Sequence, residues 1–337
     1  MHLGIIGGGN ISETHARAAA AISDLEIVAV YGSNPQKVAA LAQHYGTAAY
    51  SDLNRFLDHR PMEIVAIGSP SGLHAEHGVA AAERGLHVLT EKPLDITTER
   101  ADALIAATDD AGVKLGVFFQ DRLAPEIVEL NHMVRSGCLG TPIMISGRVK
   151  WHRPPEYYGL SRWRGTWTLD GGGALMNQAI HTIDLMQWLF GSVARVQART
   201  ATRLHPIEVE DTAAAILDYT SGAIGVIEGA TSVFPGYARR LEVTGSDGSI
   251  ILENDHIVRI DLRSVHSADV SAETFSASAH SPVVADASGH RRVLEDFIRA
   301  IEADGVPACD GREGRRSVAI VQAIYASARE GRAIAPE

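Results

Sequence analysis

The sequence predicts a chain of α/β plus α+β class: an N-terminal doubly wound parallel sheet, then a C-terminal domain built on an open mixed or antiparallel sheet. Three observations lead there. At 337 residues the chain exceeds what one hydrophobic core usually serves. Short apolar runs alternate with helical stretches through the first 120 residues. Beyond them, strand candidates follow one another with short connections.

The runs His2–Ile6, Ile27–Tyr31, Ile64–Ile67, His87–Leu89 and Lys114–Phe119 are rich in Val, Ile and Leu, as expected of strands buried on both faces. Between them, Glu13–Ala21, Asn34–Tyr45, His74–Arg84 and Thr97–Ala111 carry helical patterns. Pro125–Ser136 reads as a helix ending at Gly137, Ile143–Trp151 as a strand, and Ala174–Phe190 as one helix. Strand candidates follow at Val193–Thr202, Ala213–Tyr219, Ala223–Ala230, Arg240–Thr244 and Ser249–Leu252. Thr220–Ser221–Gly222 and Ser246–Asp247–Gly248 are turn signals among them. Helices near Arg292–Glu302 and Arg315–Glu330 close the chain, the last a candidate to pack back on the N-terminal domain. Residues 265–288, rich in Ser, Ala and His, give no clear pattern.

The totals narrow the function. A net charge of −11 disfavours nucleic acid, because phosphate binding needs a concentrated basic surface. No apolar run has the length to span a bilayer, and Met1 runs almost directly into a core strand pattern, so neither a membrane segment nor a signal peptide is expected. With only Cys138 and Cys309, a disulfide framework or zinc cage is not expected, and a cytoplasmic, reducing setting fits. His74 and His77 stand at i and i+3 without a third ligand, so no metal is expected.

Strand His2–Ile6 runs into Gly7-Gly8-Gly9-Asn10-Ile11-Ser12 and then a helix, matching G-x-G-x-x-G with Ser at the third position. Gly7 permits the tight turn, Gly9 lets a pyrophosphate approach the backbone, and Ser12 is small enough for helix–strand packing. The helix start at Asn10 and Ile11 then offers N–H groups to phosphate. Residues 1–120 thus read as a dinucleotide-binding Rossmann domain, and 121–337 as a domain for substrate binding and oligomerisation. The second strand ends in Tyr31-Gly32-Ser33-Asn34, without the carboxylate that selects NAD, so NAD or NADP fits, with a tilt toward NADP or dual use. Gly32, Ser33, Ser69, Pro70, His74, Glu91, Lys92 and Gln120 follow strands and complete the candidate cofactor set.

Two segments carry the chemistry. Glu91-Lys92-Pro93-Leu94 lies just past the strand His87–Leu89, where ligands of open α/β sheets bind. In Asp170-Gly171-Gly172-Gly173 through Asp184, a regular helix would bring Asn177, His181, Asp184 and Trp188 within roughly 60° around the axis. Lys92 is either placed to touch substrate or a surface lysine beside a turn, and the polar stripe either lines a site or forms a buried network; on the first reading Lys92, His181, Asn177 and Asp184 are candidate catalytic residues. The loop Trp151-His152-Arg153-Pro154-Pro155-Glu156-Tyr157-Tyr158, with Trp163-Arg164, mixes aromatic faces with hydrogen-bonding heads, a combination suited to sugar rings and equally to packing. Arg122, Trp151, Arg153, Tyr158 and Trp163 join Lys92, Asn177 and His181 as candidate substrate contacts.

Together with the closing Asp310-Gly311-Arg312-Glu313-Gly314-Arg315, these motifs, in this order along nearly the whole chain, resemble the Gfo/Idh/MocA family, whose namesakes are glucose–fructose oxidoreductase and inositol dehydrogenase. The resemblance implies a small carbohydrate or cyclitol substrate, hydride exchange with a nicotinamide, and a homodimer or homotetramer formed on the outer face of the second sheet. It also implies catalytic roles for Lys92 and His181, either of which can be the base. Inositol dehydrogenase-like members carry Asp four residues before the histidine. Asn177 stands there instead, leaving Asp184 as the candidate carboxylate. The segment Trp163–Asn177 is most similar to members acting on nucleotide-linked or simple pyranoses. Two other readings share these motifs: an NAD-dependent glycosidase using transient sugar oxidation, and a non-catalytic dinucleotide-binding regulator.

Overall fold

The computed structural model describes residues 1–263 and 286–337, and the backbone of 265–269. Most of the unpatterned stretch 265–288 therefore lies outside the described residues. The chain divides into two compact units, Met1–Leu123 with Val283–Arg315, and Ala124–Pro282 with Arg316–Glu337.

The first unit holds a parallel sheet of β1 (His2–Ile6), β2 (Glu26–Tyr31), β3 (Ala48–Tyr50), β4 (Ile64–Ile67), β5 (His87–Thr90) and β6 (Leu115–Val117), in the order β3-β2-β1-β4-β5-β6. Leu3, Ile5, Ile64, Val65, Val88 and Leu89 are fully buried, because helices cover both faces. Those helices are α1 (Asn10–Ala20), α2 (Pro35–Tyr45), α3 (Leu53–Leu57), α4 (His74–Ala82) and α5 (Thr98–Asp110). Asn34 and Thr97 cap α2 and α5 by accepting from the N–H of Lys37 and Arg100. The sequence reading passed over β3 and α3, which are too short to show a period. Their one local mark is Asp52, which caps α3 by accepting from Arg55 N–H.

The second unit holds α6 (Pro125–Arg135), α7 (Pro155–Gly159) and α8 (Ile180–Phe190). Its sheet comprises β7 (Pro142–Lys150), β8 (Val193–Ala201), β9 (Thr212–Tyr219), β10 (Ile224–Ala230), β11 (Arg240–Gly245), β12 (Gly248–Glu253), β13 (His256–Leu262) and β14 (Val265–Asp269). The order is β14-β13-β12-β11-β7-β10-β9-β8. Among the described residues only the central β7–β10 pair is parallel, so the sheet is mixed. One face buries Ile145, Val149, Leu217, Ile227 and Val243. Gly147 keeps that face low enough for α8, since a Cβ there would press on Thr182 and Met186. The opposite face leaves Met144, Ile216 and Ile224 exposed. Among the described residues no helix is long and apolar enough to cross a membrane.

The helix that returns to the first unit is the penultimate one, α9 (Ser288–Glu302), while the division runs through the final helix, α10 (Gly311–Glu330), at Arg315. Val293, Leu294 and Phe297 of α9 enter one core cluster with Leu3, Ile5, Leu89 and Phe118. β6 makes room by carrying Gly116, where a Cβ would stand 2.8 Å from Phe297 Cδ2 and 2.9 Å from Leu89 Cδ1. Phe297→Ala should cost about 3–5 kcal/mol, read as a lowered denaturation midpoint and faster amide exchange in β1, β4 and β5. An unchanged midpoint would contradict this packing.

Candidate functional site

The strands of the first sheet all point one way, so the loops after β1, β2, β4, β5 and β6 share its carboxyl edge, and the strand order reverses between β1 and β4. Gly7 follows β1 at φ +130, a conformation L side chains rarely adopt, and donates its N–H to Tyr31 O at 2.6 Å. Gly9 differs: its φ of −95 suits any residue, and no atom lies within 4 Å of where its Cβ would be. Internal packing does not demand a glycine there, and the open space beside it leaves the backbone accessible to a ligand. No side chain caps α1, so the N–H groups at Asn10 and Ile11 are placed for an anion, and Ser12 is buried at the third motif position. These residues fit a dinucleotide. Gly32 packs against Gly7, with 3.2 Å to its carbonyl carbon from a Cβ position, and Ser33 beyond it is exposed.

After β4, Ser69 and Pro70 are half-buried. His74 acts as a brace rather than an open ligand contact: Nδ1 lies 2.8 Å from Pro93 O and Nε2 3.0 Å from Ser69 O. His77 Nδ1 is 3.0 Å from Ser69 Oγ, and burial, with His74 nearby, takes its pKa down to about 4. Gln120 follows β6 and is half-buried. Arg122, expected at substrate, instead lies in the interior of this unit, donating to Glu313 Oε2 at 3.2 Å and Ala308 O at 3.4 Å. A buried guanidinium needs such an acceptor, and the closing segment supplies it.

Beyond β5, Glu91 is buried and Lys92 half-buried. One Glu91 oxygen, Oε1, meets His15 Nε2 at 3.0 Å and His290 Nε2 at 3.1 Å, while Oε2 accepts from Lys92 N–H at 3.3 Å. The carboxylate thus fixes the Lys92 backbone from α1 and α9, rather than facing a cofactor. The three ligand atoms lie within 4.8 Å of one another, and the direct hydrogen bonds already account for their approach. Burial presses the Glu91 pKa upward, but the two imidazole hydrogen bonds outweigh it and hold the carboxyl well below its usual range. Desolvation lowers the His15 pKa despite Glu91. A depressed carboxyl pKa stabilises the fold above the unfolded value and loses that contribution as pH falls. Glu91→Gln should therefore be less stable than wild type by about 3 kcal/mol at neutral pH. The gap should close as pH drops below about 4.3. A gap independent of pH in urea unfolding would contradict an ionised Glu91.

In the second unit, the run expected as one helix opens with a π-helical turn, Ala174–Ala179, before regular α8 begins. Its start is held by Glu210, a residue the sequence reading missed. Glu210 Oε2 accepts from Gly173 N–H at 3.0 Å, and Oε1 accepts from Leu175 N–H at 2.8 Å and Tyr325 O–H at 3.0 Å. Burial raises its pKa to about 7 against these donors. The glycine run follows from the clamp, because a Cβ on Gly173 would collide with the Glu210 carbonyl and one on Gly172 with the Tyr325 hydroxyl.

The clamp sets Asn177 and His181, both half-buried. Asn177 Nδ2 donates to Asp170 Oδ1 at 2.6 Å, so a carboxylate stands beside Asn177 although none occupies position 177. Asp184 departs from the expected polar stripe: it is 1% exposed and accepts from Ser317 Oγ at 2.9 Å, facing α10. It lies in a regular helix about 60° around from His181, enough to turn it from the open side to the core.

The loop after β7 gathers Trp151, Arg153 and Trp163 with two residues outside the expected set, Tyr157 and Gln178. Arg153 is buried, stacks 4.9 Å from the Trp151 ring and 5.4 Å from Tyr157, and donates to Gln178 Oε1 at 3.2 Å. Gln178 Nε2 donates to the Tyr157 hydroxyl at 2.9 Å. Tyr158, the expected contact, turns inward, its hydroxyl 2.8 Å from Thr231 Oγ1 and its ring 4.8 Å from His205. The adjacent tyrosines of the short α7 meet edge to face, ring centroids 5.0 Å apart, but their hydroxyls take different partners, Gln178 and Thr231, which the sequence could not assign.

Residues 1–119 match a family described as an oxidoreductase family with NAD-binding Rossmann fold, and residues 127–251 match the GFO/IDH/MocA C-terminal domain. D-apiose dehydrogenase of Paraburkholderia graminis is 29% identical over 98% of this chain and 88% of its own. Myo-inositol 2-dehydrogenase of Thermotoga maritima is 26% identical over 99% and 98%. Among solved structures, the WlbA dehydrogenase from Bordetella pertussis, in complex with NADH and UDP-GlcNAcA, superposes with a TM-score of 0.88 at 33% identity, covering 99% of this chain and 97% of that one. The chain belongs to the GFO/IDH/MocA family and is an oxidoreductase with an NAD-binding Rossmann domain.

Proposed function

We propose that this oxidoreductase moves hydride between a nicotinamide dinucleotide and a ring carbon of a sugar, sugar derivative or cyclitol. The observation that carries the reading is the position of Lys92, just past β5 on the same carboxyl edge as the glycine loop, Ser69–Pro70 and Gln120. Apiose, inositol and a nucleotide-linked sugar acid, named with the relatives, all offer CH–OH groups to such a site.

Gly7, Gly9 and the N–H groups at Asn10 and Ile11 would hold the pyrophosphate of the dinucleotide, whose nicotinamide would serve as hydride acceptor, or as donor in reverse. His181 accepts the hydroxyl proton as the C–H bond breaks and the carbonyl forms, since imidazole changes charge near neutral pH. Lys92 hydrogen-bonds the same oxygen and offsets the negative charge developing on it. Asn177, held by Asp170, orients a neighbouring hydroxyl. Asp184 anchors α8 from inside the second unit. Ser33, exposed after β2 with no carboxylate beside it, suits NADP as well as NAD, with a tilt toward NADP. Self-association through the face carrying Met144, Ile216 and Ile224 belongs to the same proposal.

Lys92→Met should lower kcat/KM by about a thousandfold while leaving dinucleotide affinity nearly intact; full activity in that variant would remove Lys92 from the mechanism. Ser33→Asp should raise the KM for NADP+ by about tenfold or more through repulsion of the 2′-phosphate, with little change for NAD+. Equal effects on both cofactors would place the ribose elsewhere.

A further inference from the structure

The stacked arginines beside Gln178 are more than packing requires. Trp151, Arg153, Tyr157, Arg164 and Trp163 form a run in which each guanidinium lies against Tyr157 and its own tryptophan. Arg164 is 4.4 Å from the Tyr157 centroid and 5.2 Å from that of Trp163. Stacking occupies the faces of a guanidinium and leaves its edge of N–H donors to be satisfied. Among the described residues, the Arg164 Nε is buried without a hydrogen-bond partner. Asp170, close enough to act on the Tyr157 hydroxyl, gives its oxygens to Asn177 Nδ2 and Gly165 N–H. Burial disfavours the charge on Arg153, and Arg164 adds repulsion.

Two positive charges are thus gathered in a protein of net charge −11, next to the helical turn that carries Asn177 and leads to His181. The hydroxyls of a neutral ligand can accept from the edge of Arg164 but leave the repulsion between the two guanidiniums in place. A planar or tetrahedral oxyanion would satisfy the edge and offset the repulsion. We infer that Arg164, with Arg153 behind it, receives an oxyanion on the sugar, so that the substrate is an acidic sugar, a uronate or a sugar phosphate, rather than a neutral one. This rests on the dehydrogenase reading for placing the sugar beside Asn177 and His181.

The test is calorimetric binding to the NADH-loaded protein. The probes are D-glucuronate and glucose 6-phosphate against D-glucose, and UDP-glucuronate against UDP-glucose. In at least one pair, the member with the added carboxylate or phosphate should bind about tenfold or more tighter than the parent whose sugar lacks it, and the winning arm tells carboxylate from phosphate. In Arg164→Gln that ratio should collapse to about threefold or less, and Arg164→Lys should recover part of it by keeping the charge without the fork. No preference in any pair with wild-type protein, or a preference kept in a folded Arg164→Gln, would overturn the assignment. Turnover is read separately: an acidic sugar that binds through Arg164 but reduces neither NAD+ nor NADP+ upholds the oxyanion site and contradicts the dehydrogenase reading.

Discussion

The clamp of Glu210 on the start of the π-helical turn is the constraint on which the second half of the candidate site depends. A helix start leaves N–H groups unsatisfied, and here a buried carboxylate from the approach to β9 takes two of them, with Tyr325 from α10 on the same oxygen. The fit admits no side chain at Gly172 or Gly173. Asn177 and His181 inherit their positions from that anchor, because each lies within about two turns of it along a continuous helical path.

The two units solve the same problem, a carboxylate out of water, with different donors. Glu91 faces two imidazoles and is held ionised. Glu210 faces two amides and a phenol, neutral donors that do not cancel the cost of burial, and its pKa rises to about 7. Both carboxylates brace the backbone next to a candidate catalytic residue, Lys92 in one unit and Asn177 with His181 in the other. Rigid support behind such groups is what holds them in reactive geometry.

Legibility followed distance along the chain. The glycine fingerprint, the parallel strands and the carboxyl-edge position of Lys92 are local signals and were readable, because a strand, tight turn and helix leave marks within a dozen residues. β13 carried a readable mark that was passed over: Asn254 and Asp255, both at positive φ, make the tight turn from β12. The π-helical turn was not readable, since Ala174–Ala179 suits a regular helix equally and its determinant, Glu210, lies 37 residues beyond Gly173. His290 reaches Glu91 across 199 residues. The inward turns of Tyr158 and Asp184 were hidden for the same reason: their partners, Thr231 and Ser317, are remote in sequence.

A crystal structure of the ternary complex with reduced cofactor and a sugar measures directly how one substrate oxygen is held. Lys92 Nζ and one His181 ring nitrogen should both lie at about 3 Å from a single hydroxyl oxygen, whose carbon faces C4 of the nicotinamide. The two nitrogens bound to different parts of the sugar, or His181 turned away from it, would contradict the account.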